Sequence, residues 1–227
     1  MRERPILFSG PMVQAILDGR KTVTRRVVGP PRGWGERYPN CDPYSMPPSV
    51  WWWDGVHDHV GVRQECPYGV PGDRLWVRET HLVVGGKHST SPRVVYKATN
   101  NGPDAWLSPA WAPSIHMPRW ASRLTLEVVS VRVERVQDVS HDDAVSEGMS
   151  AGAWRYGDGA HRRSPFGSNA VKRFAILWDE LNFSRGYGWD ANPWVWRIEF
   201  RRVMPNASLS GARALLNKTA DAAAIDS

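Results

Sequence analysis

Short strand patterns, separated by segments rich in proline, glycine and tryptophan, dominate this chain. The clearest runs from Arg123 to Val136, and strict alternation predicts that one face carries Leu124, Leu126, Val128, Ser130 and Arg132. Further strands are predicted over residues 4–8, 20–28, 74–79, 93–97 and 193–200. Short strands with interspersed turns favour a small barrel over repeating βαβ units. The sequence therefore predicts a mainly β fold of the α+β class.

Three short helices are expected between these strands. Ser9 is a suitable N-cap for a helix over residues 12–17 that Gly19 ends. Ser140 caps a second helix over residues 141–147, which Gly148 ends. Ser168 caps a third over residues 169–182, where apolar residues recur at helical spacing: Val171, Phe174, Ala175, Trp178 and Leu181.

The chain of 227 residues is long enough for one large domain, predicted over residues 1–203. Residues 29–72 read as a loop-rich insertion with a short hairpin near Trp51–Trp53, and residues 150–167 as a second long loop. Residues 204–227 are predicted to be a flexible tail. Most of the 13 tryptophans must be structural, and Trp76, Trp120 and Trp196 are each predicted to lie in the core.

Charge and hydrophobicity along the sequence indicate which kinds of partner the protein could bind. The net charge of +6 favours an anionic partner, nucleic acid first, although an ordinary basic surface is the alternative. No run of 18 apolar residues is present, and the N-terminus has no apolar stretch long enough for a signal peptide. We therefore expect a cytoplasmic protein with no membrane partner.

The densest group of charges is the segment from Gly19 to Arg26, which holds four cations. On a regular strand Lys21 and Arg25 share one face, and the other face carries Arg20, Thr22, Thr24 and Arg26. Two interpretations remain open. The segment is either a solvated basic edge strand or a surface that contacts phosphates or bases.

Three blocks of the sequence resemble one known family. The first block is Gly19-x-Lys21 followed by Arg26, the second runs from Pro71 to Glu79, and the third from Ile115 to Arg123. All three are similar to blocks of ASCH domains, especially of larger phage- and prophage-encoded members. ASCH domains belong to the PUA-like superfamily. The resemblance implies a PUA-like β-barrel with short flanking helices and long irregular loop insertions. It also implies a cleft beside the first helix and a role related to RNA or nucleotides.

One bacterial member type of this family is an amidohydrolase that deacetylates N(4)-acetylcytidine. That activity is attributed to a Lys, a Thr three residues later and a Glu in a short helix. In this sequence the matching residues are Lys21, Thr24 and Glu147. The resemblance implies a metal-independent reaction with no cofactor, in which Thr24 is the nucleophile, Lys21 the base and Glu147 an acid or base. Because positions 21 and 24 point to opposite faces of a regular strand, a bend or bulge is predicted between them.

The leading prediction is a protein that binds nucleic acid, RNA favoured over DNA, or a modified nucleoside. Its pocket would contain Lys21, Thr24, Arg26 and Glu147, and its contacts with base or backbone would come from Arg20, Lys21, Arg25, Arg26, Arg78, Glu79, Arg119 and Trp120. One alternative is the deacylase of N(4)-acetylcytidine-type nucleosides. Another is a phage accessory protein that binds a second protein through a tryptophan-rich surface.

The cysteines and histidines of the insertion offer a zinc site as a further alternative. Cys41, His57, His59 and Cys66 are zinc-ligand types, but their spacing lacks a Cys-x-x-Cys knuckle. Free thiols and surface histidines are therefore the favoured interpretation, and no metal is predicted.

Overall fold

A computed structural model describes residues 1–29, 50–53, 62–84, 93–100, 111–149 and 170–204. These residues form nine strands and three α-helices: β1 (Glu3–Leu7), α1 (Gly10–Leu17), β2 (Val23–Val27), β3 (Val50–Trp53), β4 (Val62–Glu65), β5 (Arg74–Arg78), β6 (His81–Val84), β7 (Arg93–Tyr96), β8 (Thr125–Arg135), α2 (His141–Ser146), α3 (Ala170–Asn182) and β9 (Trp194–Arg202). Most of the predicted insertion, the loop over residues 150–167 and nearly all of the predicted tail lie outside the described residues.

The described strands form one five-stranded sheet and two hairpin-like pairs. The sheet order is β1-β5-β8-β9-β2, and β3-β4 and β6-β7 are separate two-stranded sheets. Strand β1 runs parallel to β5, whereas the other neighbours in the sheet are antiparallel. The mixed fold with mostly strands and few short helices agrees with the predicted α+β class.

The two ends of the large sheet approach each other in space. Arg26 on β2 donates a hydrogen bond from Nη2 to the carbonyl oxygen of Leu7 on β1, at 2.6 Å. The same guanidinium lies 5.3 Å from the centre of the Phe8 ring. Pro5 fits an edge strand because it has no N–H to offer a neighbour on one side. The sheet therefore curves enough for one side chain to join its first and last strands.

Strand β8 departs from the predicted alternation at a bulge. Its register with β9 shifts between Val128 and Ser130, which leaves Val129 without an opposite residue and 45% exposed. Leu126, Val128 and then Val131 are buried. The prediction that Ser130 and Arg132 share a face with Leu124, Leu126 and Val128 is wrong, because one extra residue in a strand reverses the faces of all that follow.

Helices α1 and α2 begin and end close to their predicted limits, and the predicted cap of the third helix, Ser168, lies outside the described residues. Ser9 lies at the N-cap of α1, and the Ser140 side chain accepts a hydrogen bond from the Asp143 N–H at 3.0 Å. Helix α2 ends at Ser146, and Glu147 is its C-cap residue. Phe174 and Trp178 of α3 are buried against the sheet, whereas Leu181 is 56% exposed.

The tryptophans divide between core and surface. Trp196 is fully buried as predicted, and Trp76 is half-buried. Trp120 is 60% exposed, so its predicted place in the core is wrong. Trp51–Trp53 lie on β3, as the predicted hairpin requires, but their side chains are outside the described set. A tryptophan-rich surface for a protein partner therefore stays a prediction.

None of the described helices has the length and apolarity needed to cross a membrane.

Candidate functional site

The backbone between α1 and β2 places Lys21 outside any regular strand. Gly19 adopts a φ of +75°, and the N–H groups of Arg20 and Lys21 both donate to the carbonyl of Ala15, at 2.9 and 3.0 Å. Lys21 then forms an isolated antiparallel bridge with Glu147, and β2 begins only at Val23. The strand predicted over residues 20–28 is therefore shorter, and Lys21 lies before its start instead of on the same regular strand as Thr24.

Lys21 and Glu147 form a buried ion pair. The Nζ of Lys21 lies 2.6 Å from Oε2 of Glu147, with the two side chains 2% and 5% exposed. Nζ also donates to the carbonyl oxygens of Val23, at 2.7 Å, and of Glu147, at 3.0 Å. Burial lowers the pKa of Lys21, and Glu147 only partly offsets this, while the charges of Arg26 and Arg25 lower it further. Lys21 thus gives up its proton more readily than a solvated lysine.

Arg25 connects this pair to two more carboxylates. Its side chain is 0% exposed, and its Nε and Nη2 donate to Oε1 of Glu134 at 2.9 and 2.6 Å. Nη2 lies 3.1 Å from Oδ2 of Asp143, and Nη1 lies 3.3 Å from Oε1 of Glu147. Arg25 therefore contacts carboxylates inside the protein instead of forming part of a solvated basic face.

Asp143 is shared between Arg25 and a second arginine on β9. Nη2 of Arg197 donates to Oδ1 of Asp143 at 2.7 Å. Burial by itself raises the pKa of Asp143, but the hydrogen bond from Arg197 and the charges of Arg25 and Arg197 outweigh it, so this pKa lies below its ordinary value. The carboxylate stays ionised throughout the neutral range.

A cleft of about 1200 Å³ opens beside the Lys21–Glu147 pair. The end of β1 and the start of α1 form one wall, and β2 with one side of α3 forms another. Thr24 lines it together with Lys21 and Glu147. Among the described lining residues there is one carboxylate, that of Glu147, and five cations: Lys21, Arg25, Arg26, Lys97 and Arg185. The cleft is thus positively charged, with a buried ion pair in its wall.

The remaining predicted contact residues are not among the described residues that line this cleft. Arg20 is exposed and paired with Asp18 at 2.8 Å. Glu79 is buried and held by Nε and Nη2 of Arg123, at 2.8 and 2.9 Å. Arg119 donates to Glu3 at 2.9 Å. Trp120 lies beside Arg119 on an exposed 3₁₀ turn.

Arg78 joins the second and third blocks of the family resemblance to each other. It donates to the carbonyl oxygen of Met117 at 3.1 Å and to that of Ile115, and its guanidinium lies 5.3 Å from the Trp76 ring. These contacts tie β5 to the segment around residues 115–117. The side chains of these blocks contact one another away from the cleft.

Glu134, Asp143 and Arg197 were missed as residues of the site. Asp143 lies within the predicted helix over residues 141–147 and Glu134 within the predicted strand from Arg123 to Val136, and neither position predicts a part in the site. Arg25 and Glu134 are separated by 109 residues in the chain. No local spacing signals such a pair, because the pairing depends on the sheet order that brings β2 and β8 to either side of β9.

The zinc alternative finds no support in the part of the chain that is described. Cys66 is a buried free thiol whose pKa is raised to about 11, chiefly by burial. Cys41, His57 and His59 lie outside the described residues. Within the described ranges, no group of three or more His, Cys, Asp or Glu side chains is arranged to hold a metal ion.

Comparison with known proteins identifies no similar protein for this chain. No protein-family model, curated protein or solved structure matches this chain. Function must therefore be argued from the residues of the cleft.

Proposed function

We propose that the cleft binds a nucleobase, presented by a nucleic-acid strand or as a modified nucleoside, and that the chain is an ASCH domain with a PUA-like barrel. The observation that carries this proposal is the buried Lys21–Glu147 pair in the wall of a large cationic cleft. An ammonium and a carboxylate match the acceptors and amine donors on a base edge, and a bound base would replace one of the three acceptors that Lys21 has inside the protein. The approach of β1 and β2 through Arg26 supports a barrel-like curvature of the sheet.

Charge around the cleft supports a ligand that carries phosphate. Lys97 is exposed on the 3₁₀ turn Lys97–Thr99, and Arg26 and Arg185 line the same cleft. Apolar and aromatic groups such as Phe8, Tyr68 and Leu177 supply surface for a flat ring. A base in contact with these groups would leave its phosphates near the cationic side chains.

Salt-dependent binding tests this proposal. Affinity for short single-stranded RNA and DNA, measured by fluorescence anisotropy at several salt concentrations, should fall as salt rises. Lys97→Gln is expected to weaken binding and to reduce the log–log salt slope by about one. Arg201→Gln is the matched control, because Arg201 is exposed on β9 and paired with Glu127 instead of lining the cleft. Binding that does not respond to salt, or equal effects of both variants, would count against the proposal.

A second candidate is deacylation of N(4)-acetylcytidine-type nucleosides, favoured by the lowered pKa of Lys21, which lines the same cleft as Thr24. In this reaction Lys21 starts as the neutral amine, a form that its lowered pKa favours, and takes the proton of the Thr24 hydroxyl as the hydroxyl oxygen attacks the acyl carbon. The leaving amine then takes a proton from Lys21, and water hydrolyses the acyl-threonine to release acetate. Glu147 holds the Lys21 ammonium or moves a proton during these steps.

Acetate release from N(4)-acetylcytidine tests this candidate. Thr24→Val and Lys21→Met are each expected to lower kcat/KM by at least 100-fold without unfolding the protein. Thr22→Val is the matched control, because Thr22 is exposed and does not line the cleft. No acetate from the wild-type protein would remove this candidate and leave the binding proposal standing.

A further inference from the structure

One guanidinium contacts three carboxylates, one from the sheet and two from α2 and its end. Arg25 on β2 contacts Glu134 on β8, Asp143 on α2 and Glu147 just beyond α2. A planar group with five N–H donors can hold several carboxylates in fixed directions, which an ammonium cannot do. The cluster therefore sets orientation as well as charge.

The two oxygens of Glu147 have different partners. Oε2 accepts from Nζ of Lys21 at 2.6 Å, whereas Oε1 accepts from Nη1 of Arg25 at 3.3 Å. The carboxylate is held from two sides and cannot rotate without losing a contact. Arg25 is itself fixed by Glu134, which accepts from both its Nε and its Nη2.

We propose that Arg25, anchored by Glu134 and Asp143, is a positioning residue that fixes the Glu147 carboxylate against Lys21 in the wall of the cleft. This inference rests on the proposed function, because Arg25 positions the Lys21–Glu147 pair and that pair is the one proposed to contact the ligand. The family resemblance of the first block rests on Gly19, Lys21 and Arg26 and does not include Arg25, which lies between the last two.

The charges around Lys21 and around its neighbour Arg25 come from four elements. Arg25 and Arg26 lie on β2, Asp143 on α2 and Glu147 at its end, Glu134 on β8 and Arg197 on β9. Glu147 raises the pKa of Lys21, both by its charge and by its hydrogen bond. Replacing Glu147 should therefore lower the pH at which Lys21 titrates, and the size of that drop measures how closely the two groups are held together.

The test is a double-mutant cycle read by NMR titration of Lys21 in the ligand-free protein, with its signal assigned through Lys21→Met. Glu147→Gln should lower the Lys21 midpoint markedly in the wild-type background. The drop should shrink by half or more in an Arg25→Gln background, because an unanchored carboxylate leaves Lys21. Arg25→Lys keeps the charge and loses the planar fork, so the drop should shrink there too, and this variant decides the matter if Arg25→Gln does not fold.

Arg132→Gln is the matched control background. Arg132 donates to the other oxygen of Glu134 at 2.7 Å, its side chain is 52% exposed, and its ion-pair partners are Glu134 and Asp143. The drop should keep its wild-type size there. An equal drop in the wild-type, Arg25→Gln and Arg25→Lys backgrounds would overturn the proposal. Because no ligand is used, this outcome is separate from a failure of the proposed function, which would appear as absent binding by the wild-type protein.

Discussion

At the scale of single residues, the cost of burying charge governs the site. An ammonium removed from water is stable only with a close partner, and Lys21 has three acceptors, two of them on Glu147. Burial lowers the pKa of Lys21, so loss of the proton also removes the buried positive charge. The same property that makes the pair costly makes the amine useful as a base.

Glu147→Leu is expected to destabilise the fold by about 3 kcal/mol at pH 7, because it leaves the Lys21 ammonium buried without its carboxylate. The loss should be smaller at pH 9. Glu147 raises the pKa of Lys21, so in the variant the folded-state pKa lies even further below the ordinary value of 10.5 than in the wild type. The folded variant therefore binds fewer protons than its unfolded chain over a wider pH range, and its stability rises more with pH than that of the wild type. Urea unfolding at both pH values checks this.

The control for that substitution is Glu127→Leu, which breaks the exposed pair with Arg201. Its effect should stay below about 1 kcal/mol at either pH. A Glu147→Leu loss that is the same at pH 7 and pH 9 would contradict the account of Lys21.

At the scale of elements, the backbone at the end of α2 lies in close contact with α1 and with Lys21. Gly148 follows Glu147 with a φ of +97°, a conformation that residues with a Cβ rarely adopt. A Cβ there would lie 3.1 Å from Cβ of Ala15 and 3.4 Å from Cβ of Lys21. Glycine thus lets the end of α2 approach α1 and Lys21, which brings Glu147 to its partner.

Gly148→Ala is expected to cost about 2–3 kcal/mol, from both backbone strain and the contact with Ala15. Gly186→Ala is the matched control, because Gly186 has a φ of +81° but no atom within 4 Å of an added Cβ. It should cost only about 1 kcal/mol. Urea denaturation of both variants separates strain from contact, and equal losses would show that the close approach at Gly148 is unimportant.

At the scale of the whole molecule, carboxylates hold distant parts of the chain together. Oδ1 of Asp73, just before β5, accepts from the N–H of Arg2 at 2.7 Å, and this hydrogen bond chiefly lowers the Asp73 pKa. Asp143 links α2 to β2 and β9 and has a lowered pKa as well. Both ionised groups therefore favour the folded state.

Acid should weaken the fold through these two groups. A folded-state pKa below the ordinary value of 3.8 contributes stability above that pH, and the contribution is lost as pH falls through the folded pKa. The thermal midpoint should change little between pH 7 and pH 5 and fall steeply below about pH 4. Asp143→Asn should start lower at pH 7 and lose less on acidification. A variant profile parallel to that of the wild type would contradict this.

The sequence by itself determined the α+β class, the helix caps at Ser9 and Ser140, and most strand limits to within two residues. These follow from preferences that act between neighbours in the chain. Resemblance supplied Lys21, Thr24 and Glu147 as candidates. Only the tertiary structure decided that Lys21 meets Glu147, that Arg25 is buried among carboxylates, and that Val129 bulges. Such pairs join residues more than 100 positions apart, so they exist only once the sheet order brings them together.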